Sequence, residues 1–395
     1  MASFRKNHFF QTGETIQLKR ITYFDFIDIE FSSYFLKGLL ELADERGINF
    51  AVSRAAPPAL QYMEKEMRNI WLWRFGSRSE YGLFSYEDSD EEFLFCIDGS
   101  DRNGNVSTGG ISVELLEQCR YYFKVNYNDE AIKSNPALVE HAHKILPLPI
   151  VFPVDIPQPW RFLPDPIGIT GHRWPPQFAR RRLRSLWKAT HLEEFRNMRK
   201  TEKDLDAFAL VSIYPKAWNP SYEEMNLRRL EIVAGLNELA DYDIVAGFFY
   251  YDKSATDLAS YIGESQHSRY QKYHMSRLHH ADYLHNLARS KLGIYVRGAD
   301  DCTAFKFGEL MAMAKPIVGE RFHNNLQQLY SNPLFDQQFA FDDPQDFINR
   351  VIYLLENPSE REKLAESNAQ TFDTVLAPKP VMAKILDHYV CRTSP

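Results

Sequence analysis

The chain has 395 residues, 44% of them apolar and 25% charged, with a net charge of −7. That length accommodates two domains of about 150 residues each, and the balance is that of an ordinary folded protein. The acidic balance argues against whole-molecule attraction to nucleic acid or to an anionic membrane.

Ile21 to Ile27 is rich in β-branched and aromatic residues and predicts a strand. Ser32 or Ser33 caps a helix with Leu36, Leu39, Leu40 and Ala43 at helical spacing, and Gly47 ends it. Ile48 to Val52 and Glu92 to Ile97 are apolar runs read as buried strands. The second leads into Asp98-Gly99-Ser100-Asp101. Ser112 to Cys119 reads as a helix and Tyr121 to Val125 as a strand. This rhythm predicts a parallel sheet covered by helices, over an N-terminal domain at residues 1–165.

Leu146 to Pro176 is rich in proline and reads as an extended connector. Ala179 to Lys200 then carries Arg180, Arg181, Arg182, Arg184, Lys188, Arg196, Arg199 and Lys200, with Leu183, Trp187 and Phe195 on one helical face. Two readings stay open for this basic insertion at residues 166–205. One is a surface helix packing a narrow stripe. The other is contact of 180–200 with an anionic acceptor, a polyphosphate or a membrane surface.

From Ala207 the α/β rhythm restarts, over a domain at residues 206–375. Ala207 to Tyr214, Tyr242 to Tyr250 and Leu292 to Val296 read as strands, and Met225 to Leu239 and Tyr283 to Arg289 as helices. Asp343-Pro344 and Pro358-Ser359 each open a closing helix. Residues 376–395 form a tail that returns to the N-terminal domain. Cys96, Cys119, Cys302 and Cys391 show neither CxxC pairing nor metal-ligand spacing, so free thiols in a reducing compartment are expected. MASFRKNHFF lacks the apolar run of a signal peptide. Ile145 to Ile156, broken by prolines and an aspartate, is too short to span a bilayer. A cytoplasmic location follows as the expectation, with peripheral contact to the inner face of the membrane left open.

The densest chemistry lies in Asp301 to Gly319, DCTAFKFGELMAMAKPIVG. A short polar loop precedes Glu309, and the Leu310 to Ala314 run after it is helical and uncharged. A helix N-terminus has orphan N–H groups and the positive end of a dipole, which suit a diphosphate. A carboxylate one turn in can accept two hydrogen bonds from a ribose diol. The bland alternative is a glutamate capping its own helix.

This segment resembles the donor-binding segment of GT-B glycosyltransferases, where Glu, seven residues and Glu precede a small-residue helix and a Pro-led strand. Asp301 stands at the first Glu, Glu309 at the second, and Lys315-Pro316-Ile317-Val318 at the strand entry. Phe305-Lys306-Phe307-Gly308-Glu309-Leu310 is also similar to a run in exostosin-type transferases. The closing helices, DPQDFINRVIYLLENPSEREKLAES, extend the resemblance over Ala207 to Phe372. It implies a GT-B fold with two Rossmann-like domains flanking a cleft, and an acceptor site in the N-terminal half. It also implies ribose binding by Glu309 and no metal cofactor. The departures are Asp301 in place of Glu and a loop with only Gly308 between Asp301 and Glu309.

Ligands in open α/β sheets bind outside the carboxyl ends of the strands. Lys216, Arg297 and Lys306 are placed there as cations for a diphosphate, with Arg228 or Arg229 from the following helix, one of which must face away. Thr303 and its neighbouring N–H groups would cradle the distal phosphate, and Asp301 would contact the donor sugar. Asp98 and Asp101 are the candidate bases for an acceptor hydroxyl, although DGSDRNG also reads as a plain turn. Asp241-Tyr242-Asp243 reads as a turn and His274, His279 and His280 as surface, so no metal site is expected. The expected activity is transfer of a sugar from a nucleotide sugar to a glycan, lipid-linked or other hydroxyl. A non-catalytic scaffold, a sugar-nucleotide epimerase and a DNA base glucosyltransferase stay open as alternatives.

Overall fold

The computed structural model describes residues 19–25, 29–53, 57, 81–99, 111–149, 151–163, 176–252, 257–323, 332 and 334–391, with the side chains of 30, 31, 176–179, 181, 188 and 300 left aside. The first unit is built from β1 (Arg20–Phe24), α1 (Ile29–Arg46), β2 (Asn49–Ser53), β3 (Tyr81–Glu87), β4 (Glu92–Asp98), α2 (Val113–Gln118), β5 (Cys119–Lys124), α3 (Asp129–Ser134) and β6 (Ile145–Pro147). Its strands form one sheet in the order β2-β1-β3-β4-β5-β6.

The α/β expectation holds, but this first sheet is mixed. β3 runs antiparallel to both β1 and β4, while the other pairs are parallel. The sequence reading found no strand at Tyr81–Glu87. The β3–β4 hairpin turns at Asp88-Ser89-Asp90. The Asp88 carboxylate accepts from the N–H groups of Asp90 (2.9 Å) and Glu91 (3.0 Å), closing a short Asx turn.

Two helices, α4 (Pro176–Lys188) and α5 (Leu192–Met198), join the units. The single helix expected over 179–200 breaks between them. Asp155 accounts for the break, because its carboxylate accepts from the Leu192 N–H at 3.0 Å and so caps α5. The expected Leu183–Trp187–Phe195 stripe fails with it. Trp187 is exposed, and the buried positions are Arg182, Leu186, Leu192 and Phe195.

The second unit comprises β7 (Leu205–Ile213), α6 (Tyr222–Asn237), β8 (Ile244–Tyr250), α7 (Ala259–Ile262), α8 (Glu264–Tyr270), α9 (His280–Arg289), β9 (Ser290–Tyr295), α10 (Phe305–Ala312), β10 (Ile317–Gly319), α11 (Pro344–Glu356) and α12 (Pro358–Thr371). Its sheet, in the order β10-β9-β7-β8, is parallel throughout. Near-continuous apolar strands such as LDAFALVSI are what a parallel sheet covered on both faces requires. Asp343 caps α11 as its Asp-Pro signature foretold, accepting from the N–H groups of Gln345 and Asp346.

Lys315, in the strand-entry motif, is buried. Its ammonium donates to the carbonyl oxygens of Ala288 (2.9 Å) and Ser290, tying the entry of β10 to the start of β9. Lys203 donates to the same Ala288 oxygen. Burial first, and the neighbouring Lys203 second, push the Lys315 pKa down to about 6.

A last helix, α13 (Pro378–Ile385), packs on α1 of the first unit. The contact is close enough to require glycine at position 38. A Cβ there would lie 2.1 Å from the Pro378 oxygen. The Tyr34 hydroxyl donates to the Leu376 carbonyl beside it. No helix among the described residues is long and apolar enough to cross a membrane.

Candidate functional site

The site is assembled where β7 and β9 end. Arg297 follows β9 and is almost wholly buried. Its backbone N–H donates to Glu320 at 2.7 Å, and its guanidinium meets His323 and, at 3.5 Å, Asp301. The Arg297 Nε is buried with no hydrogen-bond partner among the described residues. Glu320 is itself fully buried just after β10 and accepts from Arg228 as well. This carboxylate, which the sequence reading passed over, holds two of the cations in place. A charge directly after an apolar strand was the signal for it.

Arg229 has a different part. Its guanidinium donates to the carbonyl oxygens of Ser212 (2.5 Å) and Arg297, clamping the ends of β7 and β9 together. The expectation that Arg228 or Arg229 faces away is corrected, since both turn inward. Lys216 lies in the turn after β7, part-exposed, 3.8 Å from Glu223.

The loop from Arg297 to α10 turns at Gly298. Its N–H donates to the Cys302 oxygen at 2.8 Å, and any Cβ there would collide with the Cys302 sulfur. Asp301 sits in left-handed backbone at φ 58°, uncommon for a residue with a side chain. Its exposed carboxylate lies between Arg297 and His323, 3.4 Å from the His323 ring.

Thr303 is buried, and its N–H donates to the Asn126 side chain at 2.8 Å. Asn128 donates to the His323 oxygen at 3.1 Å. The loop after β5 in the first unit therefore rests directly on the loop that precedes α10. The N–H expected to cradle a phosphate is engaged by Asn126 in this arrangement.

Within α10, Lys306 donates to the Leu210 oxygen at 3.2 Å and lies 5.5 Å over the Tyr283 ring. Burial pushes its pKa down to about 8, against the pull of the Glu309 charge. Glu309, one turn into the helix, is only 6% exposed. Its carboxylate meets His280 Nε2 at 3.0 Å. That hydrogen bond is the main reason the His280 pKa is raised. Burial, reinforced by the same carboxylate, raises the Tyr283 hydroxyl.

His280 was read from sequence as mere surface. It is 29 positions from Glu309, a separation with no sequence signature. The α9 helix brings it there, because that helix runs back along the sheet and starts at the carboxyl ends of the strands.

Arg297, Asp301, Thr303, Lys306 and Glu309 thus share one loop and helix start, with Lys216 in the adjoining turn. Asp98 stands apart. It is 0% exposed and receives hydrogen bonds from Lys124 (3.2 Å) and Tyr122 (2.7 Å). Its backbone carbonyl accepts from Val125, so this pair underlies the loop that carries Asn126. Asp101 lies outside the described residues. Three residues of the basic segment are committed to structure. Arg182 pairs with Asp25 at 2.6 Å, and Arg196 and Arg199 both engage Asp373, leaving Arg180, Arg184 and Lys200 exposed. Among the described residues no cluster of His, Cys, Asp and Glu could hold a metal ion.

Residues 251–387, about a third of the chain, match the family model described as glycosyl transferase-like. No curated protein matches the chain. Among solved structures, the T4 phage BGT in complex with UDP and Mn2+ is similar at 10% identity and a TM-score of 0.35, over 91% of this chain and 96% of that one. The DNA modifying enzyme β-glucosyltransferase, solved with and without uridine diphosphoglucose, is similar at 9% identity and a TM-score of 0.37, over 90% and 92%. At these scores the likeness bears on neither substrate nor acceptor.

Proposed function

We propose that this chain, whose residues 251–387 match the glycosyl transferase-like family model, moves a sugar from a nucleotide-diphosphate sugar to a hydroxyl acceptor without a metal. One observation carries the reading. A buried carboxylate, Glu309, held by His280, stands beside the cation Lys306 at the carboxyl ends of a parallel sheet, with Arg297 in the loop that leads to their helix. Carboxylate and cations in that order suit a ribose diol and a diphosphate side by side.

Glu309 accepts from the ribose hydroxyls, and His280 holds its free rotation in check. Breaking the anomeric C–O bond leaves negative charge on the diphosphate. Arg297, Lys306 and Lys216 face that charge, and fixed cations in a site of low dielectric lower the barrier. Arg229 and Glu320 position these groups and do not touch the donor. Asp301, exposed beside Arg297, is the described carboxylate most open to the donor sugar. Asp98 is committed to Lys124 and Tyr122, so its carboxylate supports the loop and leaves the base role to another group. The acceptor class is a glycan or lipid-linked hydroxyl.

A thermal-shift panel of UDP, GDP, ADP, CMP and dTDP sugars, run in EDTA, tests the reading. One nucleotide should stabilise the protein in EDTA, and Glu309→Ala should remove both that shift and sugar transfer. Unchanged transfer in Glu309→Ala sinks it. The scaffold alternative has one observation in its favour, the Thr303 N–H engaged by Asn126. It predicts no shift from any nucleotide.

A further inference from the structure

Trp218 and Tyr251 are 58% and 46% exposed, and they touch each other. Their rings meet edge to face with centroids 5.9 Å apart, and Tyr251 stacks on Tyr214 at 4.8 Å. Tyr214 lies in turn under the Arg229 guanidinium, at 5.4 Å. The other exposed aromatics, Trp160, Trp187 and Tyr353, have no such ring contact with one another among the described residues.

The position is informative. Tyr214 and Tyr251 directly follow the carboxyl ends of β7 and β8, and the Tyr251 N–H donates to the Ile213 oxygen at 3.0 Å. Trp218 is held by a turn closed from its own N–H to the Pro215 oxygen, between Pro215 and Pro220. Lys216 and Glu223, both part-exposed, lie on that turn and the helix after it. Rigid aromatics exposed beside one donor and one acceptor of hydrogen bonds are costly to leave bare, and singly scattered apolar residues do not form such a set.

We propose that Tyr251 and Trp218 form a stacking platform for a pyranose ring of the acceptor glycan, a proposal that rests on the transferase reading above. One face of a pyranose presents C–H groups with partial positive charge, which match the negative π face of an aromatic ring. Its hydroxyls lie around the rim, within the kind of reach that Glu223 offers. A sugar is favoured over the donor's nucleobase by the sheet order. Glu309 follows β9, whereas Tyr251 ends β8 at the sheet edge, two strands away. At about 4.8 Å per strand that is roughly 10 Å of displacement from the nucleoside end of the site.

Isothermal titration calorimetry of the full chain, with maltotriose, cellotriose and mannotriose as probes and UDP as the nucleotide control, tests this. At least one trisaccharide should bind. Trp218→Ala and Tyr251→Ala should each weaken it about tenfold, Trp218→Phe should restore most of the affinity, and UDP binding should stay unchanged. Because both rings are exposed, these variants should melt at the wild-type temperature. Absence of binding by all three sugars, or binding indifferent to both alanine variants, overturns the platform. A loss of UDP affinity in Trp218→Ala also overturns it, by assigning the rings to the nucleobase. Glu309→Ala separates the two proposals, since it should abolish UDP binding and leave the trisaccharide. Trisaccharide binding that depends on Trp218, in a wild-type protein that binds no nucleotide, would support the platform and reject the donor site.

Discussion

The two units use their charged residues differently. In the first unit, and where it meets the connecting helices, buried ion pairs tie one element to another: Asp98 with Lys124, Asp25 with Arg182, and Lys37 with Asp155. In the second unit the charges stand at the carboxyl ends of the strands in an open network, with Arg228 and Arg297 on Glu320, exposed Asp301 and His323 beside Arg297, and Lys306 and exposed His280 by Glu309. Ligands of open α/β sheets bind at that end of the strands. The chemistry of this protein is therefore sought in the second unit, even though both units carry aspartates in turn-like motifs.

The sharpest way to break that contrast is Asp98→Ala, which takes the carboxylate away from the buried Lys124 ammonium. It should destabilise the protein by about 3–5 kcal/mol, read from urea unfolding. Asp98→Asn keeps an acceptor for Tyr122, and its transfer rate per folded molecule should match wild type. A slower rate with a shifted pH profile would return Asp98 to the chemistry.

Lys315 is the second unit's own architectural ion, and it gives the next largest effect. Its folded pKa, about 6, lies below the unfolded value of about 10.4. Between those values the unfolded chain binds more protons, so stability rises with pH by up to about 1.4 kcal/mol per unit. Below the folded value the full penalty is present and constant. Lys203 and Lys306 are shifted in the same direction. Lys315→Met should therefore flatten the slope above pH 6 without abolishing it, in denaturation curves taken across pH. An unchanged slope would show that Lys315 stays charged.

The smallest effect tests the open network itself. The raised pKa of His280 comes first from its hydrogen bond to Glu309. The contribution of that pair to stability is present below the unfolded value of about 6.5 and fades as pH climbs through the folded one. His280 is more than half exposed, so the loss should stay within about 1 kcal/mol. An NMR titration should find the His280 pKa raised in wild type and returned to the ordinary range in Glu309→Gln. A His280 pKa indifferent to that change would dissolve the pairing.

Local physics decided much in the sequence. Apolar runs between turn residues marked most strands, Asp343-Pro344 marked its helix, and the Asp301 to Gly319 segment marked the candidate site, because caps, prolines and strand-end charges act within a few residues. Four features depended on distant neighbours. β3 is inserted antiparallel between β1 and β4. The helix at 179–200 breaks because Asp155, far back in the chain, caps its second half. Asn126 reaches Thr303 across 177 positions, and His280 meets Glu309 only because α9 returns to the same end of the sheet. Sequence spacing sets which residues share a helix face or a turn, and only the packing of separate elements sets which side chains complete one another's hydrogen bonds.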